Sequence, residues 1–396
     1  MRAALPPCGT FHVVSWAEIW TWAGIGVAVL FAAVGLYLVL SSRRPRRGGG
    51  AHRARPARDS FRTDGGEGEA PPRKEVAVVV NPTKFEDMGE IERRLGAVCD
   101  DHGWAEPVLL ETTENDVGFG QTREAVERGV DLVCALGGDG TVRAVAQELV
   151  GTGVPLGLLP GGTGNLLARN LELPVDSLER ALEVALTGRN RHVDAAWMTL
   201  DPADLELEEG VGEGSSAGER RHAFFVMAGL GLDAAIMDST SEQLKNRIGW
   251  GAYVPAGFKH FLRDRFKVTL SVEGGEEETE RARTLVIGNC GKITGGIDLM
   301  PDAEPDDGTL DIVVLAPRGL AAWVSVAGRV ITKSGRRTTH MSRYRGTSVR
   351  VSVDDPQRVQ VDGDIIGEAR RLACEVQPRA LIVRSQTPRK GSNGDS

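Results

Sequence analysis

Hydrophobic positions along this chain fall into three regimes. The first is a single uncharged run, Trp22 to Leu40, reading WAGIGVAVLFAAVGLYLVL. At about 1.5 Å of rise per residue a helix of that length covers roughly 28 Å, close to the hydrocarbon thickness of a bilayer. The second regime opens where the β-branched run VAVVV leads into Asn81. Continuous runs of this kind indicate strands buried on both faces, as in parallel sheets covered by helices. Strands at 107–113, 130–136 and 155–160 then alternate with helical periodicity at 90–102, 122–129, 142–149, 166–171 and 178–186. That alternation predicts a doubly wound α/β domain. After Asp194 the segments opening at Ala223, Lys267, Thr284, Thr309, Ser348, Arg358 and Ala380 read as strands with few helices between them. Alternation in KVTLSV and VRVSVD marks strands with one solvated face, so a second domain is expected to be an antiparallel β-sandwich.

The flanks of the apolar run give it a direction. Trp16, Trp20 and Trp22 sit at one end, and Arg43, Arg44, Arg46, Arg47, Arg53, Arg55 and Arg58 follow the other before any acid appears. The positive-inside rule then predicts a single-pass anchor in the cell membrane, with everything downstream in the cytoplasm. A cleaved signal peptide fits poorly, because its basic residues precede the apolar run. The expected organisation is an anchor with its basic flank over 1–47, a disordered linker over 48–74, the α/β domain over 75–195, the β-rich domain over 196–385, and a disordered tail over 386–396. The linker assignment rests on its Gly, Arg, Pro and Glu content.

Composition narrows the chemistry. A net charge of -8 argues against nucleic acid as a partner. Five scattered cysteines without a Cys-x-x-Cys pair exclude a disulfide framework and fit a reducing compartment. The isolated histidines offer no metal spacing, and the serines form no G-x-S-x-G elbow. The acidic stretch 201–219 reads as a solvated insertion. The basic, aromatic stretch 244–267 reads as a helix packed on the sheet, with membrane contact as the alternative.

Chemistry concentrates in the turns that follow predicted parallel strands. Gly137, Gly138, Asp139, Gly140 and Thr141 form GGDGT at the end of one strand, opening a helix. Glycines let backbone N–H groups approach an anion, and the helix N-terminus adds partial positive charge. Asp139 in such a turn makes sense beside phosphates if Mg²⁺ lies between. After the next strand, Gly161, Gly162, Thr163, Gly164 and Asn165 form a second glycine-rich turn, and the first strand ends in Asn81-Pro82-Thr83-Lys84. Ligands of open α/β sheets bind outside such strand ends, so these loops are expected to converge. Neither a dinucleotide fingerprint nor a P-loop is present.

With these motifs the sequence resembles the diacylglycerol kinase catalytic-domain family, which includes bacterial lipid kinases and sphingosine kinases. GGDGT alone would also suit NAD kinases and phosphofructokinases, which share the first domain's design. Ala228-GLGLDA, Met300-PDAEPDDGTLDI and Val359-QVDGD supply three further matching elements, in order. The resemblance implies that Asn81, Thr113, Gly137–Thr141, Gly162, Thr163 and Asn165 line an ATP site, with Asp139 beside the phosphates and the catalytic Mg²⁺. It implies a structural Mg²⁺ on Asp307, with the backbone carbonyls near Glu304 and Thr309. It also implies that Asp364 is the base that takes the proton from a lipid hydroxyl. Three positions depart from the family pattern: no glycine follows Asn81-Pro82, Leu166 follows GGTGN, and Asp364 replaces the commoner Glu.

The expected activity is therefore ATP-dependent phosphorylation of a membrane lipid, foremost diacylglycerol to phosphatidic acid. A sphingoid or ceramide-type kinase, an NAD kinase-like enzyme, and a non-catalytic nucleotide- or lipid-binding module are the alternatives. A homodimer is compatible with the sequence.

Overall fold

The computed structural model describes residues 72–202, 221–231, 265–293, 297–317, 322 and 340–386. The apolar run Trp22–Leu40, the stretch 203–220, most of 244–267 and the tail from 387 lie outside these residues. No described helix is long and apolar enough to cross a membrane.

Strands β1 (Val76–Val80), β2 (Val108–Glu111), β3 (Leu132–Gly137) and β4 (Leu156–Pro160) pair in parallel in the order β2-β1-β3-β4. Helix α1 (Met88–Asp101) turns Ile91, Leu95 and Cys99 inward, at the spacing that keeps one helix face buried. With α5 (Leu178–Thr187) it covers one face of the sheet, packing on Val76, Val78, Val80, Leu132, Cys134 and Leu136. Helices α2 (Phe119–Glu127) and α3 (Asp139–Leu149) cover the other face, over Ala77, Val79, Val133 and Ala135. Burial from both sides is the physical reason VAVVV carries no polar position. Local caps set the helix starts: Asp87 accepts from Glu90 N at 3.0 Å, and Ser177 accepts from Arg180 N at 3.3 Å. The short helix α4 (Leu166–Asn170) follows the second glycine-rich turn.

The remaining strands are almost wholly antiparallel: β5 (Arg189–Leu200), β6 (Arg221–Phe224), β7 (Met227–Leu230), β8 (Phe266–Val272), β9 (Glu278–Ala282), β10 (Thr284–Gly288), the short pair β11 (Lys292–Ile293) and β12 (Ile297–Asp298), β13 (Leu310–Leu315), β14 (Met341–Gly346), β15 (Ser348–Val361) and β16 (Asp364–Ser385). Inward residues of β5, β6, β7, β8, β10, β13, β15 and β16 share one core, so these strands enclose a common interior. Strand β16 is the seam of the molecule. Its first half pairs with β15, its second half with β5, and Val383 lies parallel to Leu156 of β4. Hydrogen bonding thus runs unbroken from the parallel sheet into the antiparallel one.

Several elements differ from the sequence reading. The segment at Ala223 forms two strands rather than one, broken by a turn at Phe225 and Val226. Helix α3 begins at Asp139, inside GGDGT, and α2 begins at Phe119. Strands β5, β9 and β14 go unsignalled because they carry charged residues on their exposed positions, as in RNRH, ETERA and MSRYRG.

Candidate active site

The site is built from strand tips. Gly137 of β3 pairs with Pro160 of β4, which sets the two glycine-rich turns side by side. A Cβ on Gly161 would stand 2.7 Å from Gly137 N and 2.9 Å from its Cα, so backbone meets backbone there and no side chain fits. Asp139 ties the two turns together, its Oδ1 accepting from Leu166 N at 2.7 Å. Asn165 adopts φ 47° and donates through Nδ2 to Gly162 O at 2.7 Å. Thr163 is exposed at the tip, whereas Thr141 is buried beneath Gly137.

The neighbouring tips complete this edge. Asn81 N donates to Leu136 O at 3.0 Å, and Asn81 Oδ1 accepts from Thr83 N and Oγ1 at 3.1 and 2.7 Å. Thr113 is exposed past the end of β2, in a turn where its Oγ1 accepts from Asp116 N at 3.1 Å. Asp116 in turn accepts from the amides of Gly118, Phe119 and Gly120, and so starts α2. The structure therefore brings Asn81, Gly137–Thr141 and Gly162–Asn165 to one sheet edge, with Thr113 one strand further out.

The acidic hairpin between β15 and β16 meets this edge from the antiparallel part. Asp364 Oδ2 lies 3.0 Å from the point a Cβ on Gly140 would occupy. The carboxylate that the sequence offers as base thus stands against the GGDGT turn. Arg143, one turn into α3, donates to the same oxygen from Nη2 at 3.0 Å and Nε at 3.3 Å. Its side chain is 9% exposed, against 44% for Asp364, so the cation is fixed and the carboxylate faces outward. Two residues back, Asp362 is buried and accepts from Phe225, Val226 and Met227 N at 2.8, 2.9 and 2.9 Å. It clamps the β6–β7 turn and fixes where the hairpin emerges. A small crevice beside these groups is bordered by Asp139, Arg143 and Asp362.

Charge is crowded here. Burial raises the Asp139 carboxyl above its ordinary range, opposed by the Leu166 amide, and the charge of Asp364 pushes it further up. Burial likewise pushes Asp362 up to about 6, with the three amides pulling the other way. Asp139 and Asp364, two like charges beside the glycine-rich turns, are a donor set suited to a divalent cation brought with a triphosphate. The region of Asp307 is different. Asp307 Oδ1 accepts from Thr309 N and Oγ1 at 2.9 and 2.7 Å, and Oδ2 is ion-paired with Arg345. Thr309 Oγ1 accepts from Arg345 Nε at 2.8 Å, and Glu304 is exposed. A metal on Asp307 would have to displace the Arg345 cation that already offsets its charge, so this donor set as it stands does not fit a resident metal. Among the described residues no cluster of three or more His, Cys, Asp or Glu side chains could hold one.

Sequence reasoning passed over Arg143 and Asp362. The signal for Arg143 was a lone cation in the otherwise apolar stretch VRAVA, at a position facing the core. Asp362 had none beyond its place in Asp-Gly-Asp.

The glycine cradle, the acidic hairpin across from it and the joined α/β and antiparallel sheets are those of a kinase. The chain belongs to the diacylglycerol kinase catalytic-domain family. The "Diacylglycerol kinase catalytic domain" matches residues 75–198, and the "YegS C-terminal NAD kinase beta sandwich-like domain" matches residues 226–385. A Pseudomonas aeruginosa protein named "Probable lipid kinase YegS-like" is 32% identical over 66% of this chain and 78% of its own length. A Mycobacterium tuberculosis protein named "Diacylglycerol kinase" is 27% identical over 67% of this chain and 80% of its own. Among solved structures, the crystal structure of a diacylglycerol kinase from Bacillus anthracis superposes with a TM-score of 0.56 at 20% identity, covering 80% of this chain and 97% of that one, a likeness of fold.

Proposed function

We propose that this chain transfers the γ-phosphoryl group of ATP to the free hydroxyl of a membrane lipid, diacylglycerol foremost, to yield phosphatidic acid. The observation that carries the reading is the contact between Asp364 and the GGDGT turn at Gly140. Phosphoryl transfer asks little covalent work of a protein; it asks for positioning and for charge neutralisation. Backbone amides of the two glycine-rich turns and the start of α3 supply the anion cradle. Asp364 faces outward, so an acceptor hydroxyl can reach it, and the carboxylate accepts the hydroxyl proton as the lipid oxygen attacks phosphorus and ADP departs. Arg143 keeps that carboxylate aimed. Asp139, with Asp364 nearby, would hold the magnesium ion of the nucleotide, which offsets phosphate charge when bound.

Trp22–Leu40 as a single-pass anchor, with the catalytic body on the cytoplasmic side, belongs to the same proposal. A tether raises the local concentration of enzyme over a substrate that never leaves the bilayer.

The test is transfer of label from γ-³²P-ATP to a panel of diacylglycerol, sphingosine, ceramide and NAD, followed by thin-layer separation. Labelled phosphatidic acid that disappears in Asp364→Asn supports the proposal. Label on NAD alone, or none with any acceptor, would refute it.

A further inference from the structure

A second cluster of opposite charges lies away from the glycine-rich turns, where the loop before β13 meets β14. Asp307 and Asp311 have side chains only 18% and 15% exposed. The antiparallel register sets Arg345 directly across from Asp311, so its backbone position is fixed by the sheet ladder. From there the guanidinium is ion-paired with Asp307, donates from Nε to Thr309 Oγ1 at 2.8 Å, and lies 3.8 Å from Asp311 Oδ2. Thr309 closes the ring by donating its hydroxyl to Asp307 Oδ1 at 2.7 Å. Arg343, on the same strand, reaches Asp302 at 3.8 Å. Strand β14 thus lends two guanidinium groups to the acidic stretch 302–311.

We propose that Arg345 is the cation of this loop, standing where the family resemblance implies a structural magnesium ion. Magnesium demands near-octahedral oxygen coordination and sheds its waters reluctantly. Here both Asp307 oxygens already accept from donors of the chain. To admit the ion, Arg345 would have to leave, yet its strand position keeps its positive charge beside the incoming one. Arginine suits the role, because its charge is permanent and its planar fork matches a carboxylate. The antiparallel domain therefore carries its own counter-ion and is stable here without metal.

The test uses full-length protein in detergent, without nucleotide, and needs no turnover, so its outcome is independent of the kinase reading. Thermal unfolding is compared with EDTA and with millimolar Mg²⁺, for wild type, Asp307→Asn, Arg345→Met and Arg345→Met/Asp307→Asn, at matched ionic strength. Wild type and Asp307→Asn should respond to Mg²⁺ alike. Arg345→Met should melt roughly 2–5 °C lower in EDTA. Mg²⁺ should restore much of that loss, and the restoration should vanish in the double variant. Should Arg345→Met fail to fold, the wild-type and Asp307→Asn comparison still decides. A wild-type gain in Tm on adding Mg²⁺ that Asp307→Asn abolishes would overturn the proposal, as would an Arg345→Met protein as stable in EDTA as wild type.

Discussion

Arg143 Nη2 lies 3.0 Å from Asp364 Oδ2, joining a buried cation on the α/β side to an outward-facing carboxylate on the antiparallel side. The pair spans the cleft between a helix that begins in the GGDGT turn and the hairpin that faces it. A buried guanidinium without a partner is costly, so the contact holds the hairpin in register with the cradle as well as aiming the carboxylate.

The first prediction follows from that pair. Asp364→Asn should lower kcat by about 10²–10⁴-fold, the usual worth of a general base, with the KM for ATP little changed. Arg143→Met should lower kcat less, and Arg143→Lys should restore part of the loss. In the Asp364→Asn background, Arg143→Met should cost little more, because the residue acts through the carboxylate. A steady-state double-mutant cycle reads this coupling directly. Full additivity would assign Arg143 a purely structural role.

The glycine contact gives a second prediction. Gly161→Ala places a methyl group 2.7 Å from Gly137 N, and backbone cannot step aside as a flexible side chain can. The two turns must part. We expect a stability loss of about 1–3 kcal/mol and a raised KM for ATP, measured by urea unfolding and initial rates. Gly138→Ala meets nothing within 4 Å and should be tolerated for folding, which makes it the control.

Buried Asp362 yields a pH prediction. Its folded pKa of about 6 lies above the ordinary carboxyl value of 3.8, so the folded state holds this proton more tightly than the unfolded chain. The stability that Asp362 contributes is then fully present below about 3.8 and is lost as pH rises through about 6. Asp362→Asn removes the titration. Subtracting its unfolding free energy from that of wild type should give a difference that declines across this window and is flat above it. A difference that rises with pH would mean that the three amides outweigh burial.

Legibility in the sequence followed what periodicity and glycine can encode. VAVVV and LVCALG announced buried parallel strands because nothing polar interrupts them, and the turns after them announced themselves by glycine. Strand β14 carries charges that pair across the sheet, so MSRYRG gives no strand signal. Arg143 stands out only as a cation in an apolar helix stretch, and its role is hidden because its partner Asp364 lies far along the chain and only the fold joins them. The position of Asp307 was read through resemblance, and its partner Arg345 comes from a strand that the pattern did not reveal.

The amino-terminal run supplies the fourth prediction. Removing residues 1–69 should leave the body from Ala70 onward folded and active on diacylglycerol dispersed in micelles. Its sedimentation with membranes should fall sharply. Unchanged membrane association after the truncation would move the anchor to another part of the chain.

Strand β16 has a consequence for biosynthesis. Its final residues dock beside β4 only after the other described strands have left the ribosome, so the parallel sheet waits with an open flank while the antiparallel domain is made. A nascent chain stalled before Leu381 would expose that unpaired edge to neighbouring polypeptides. Nonsense or frameshift lesions that remove Leu381 and the residues after it should therefore be handled by the cell as whole-protein misfolding.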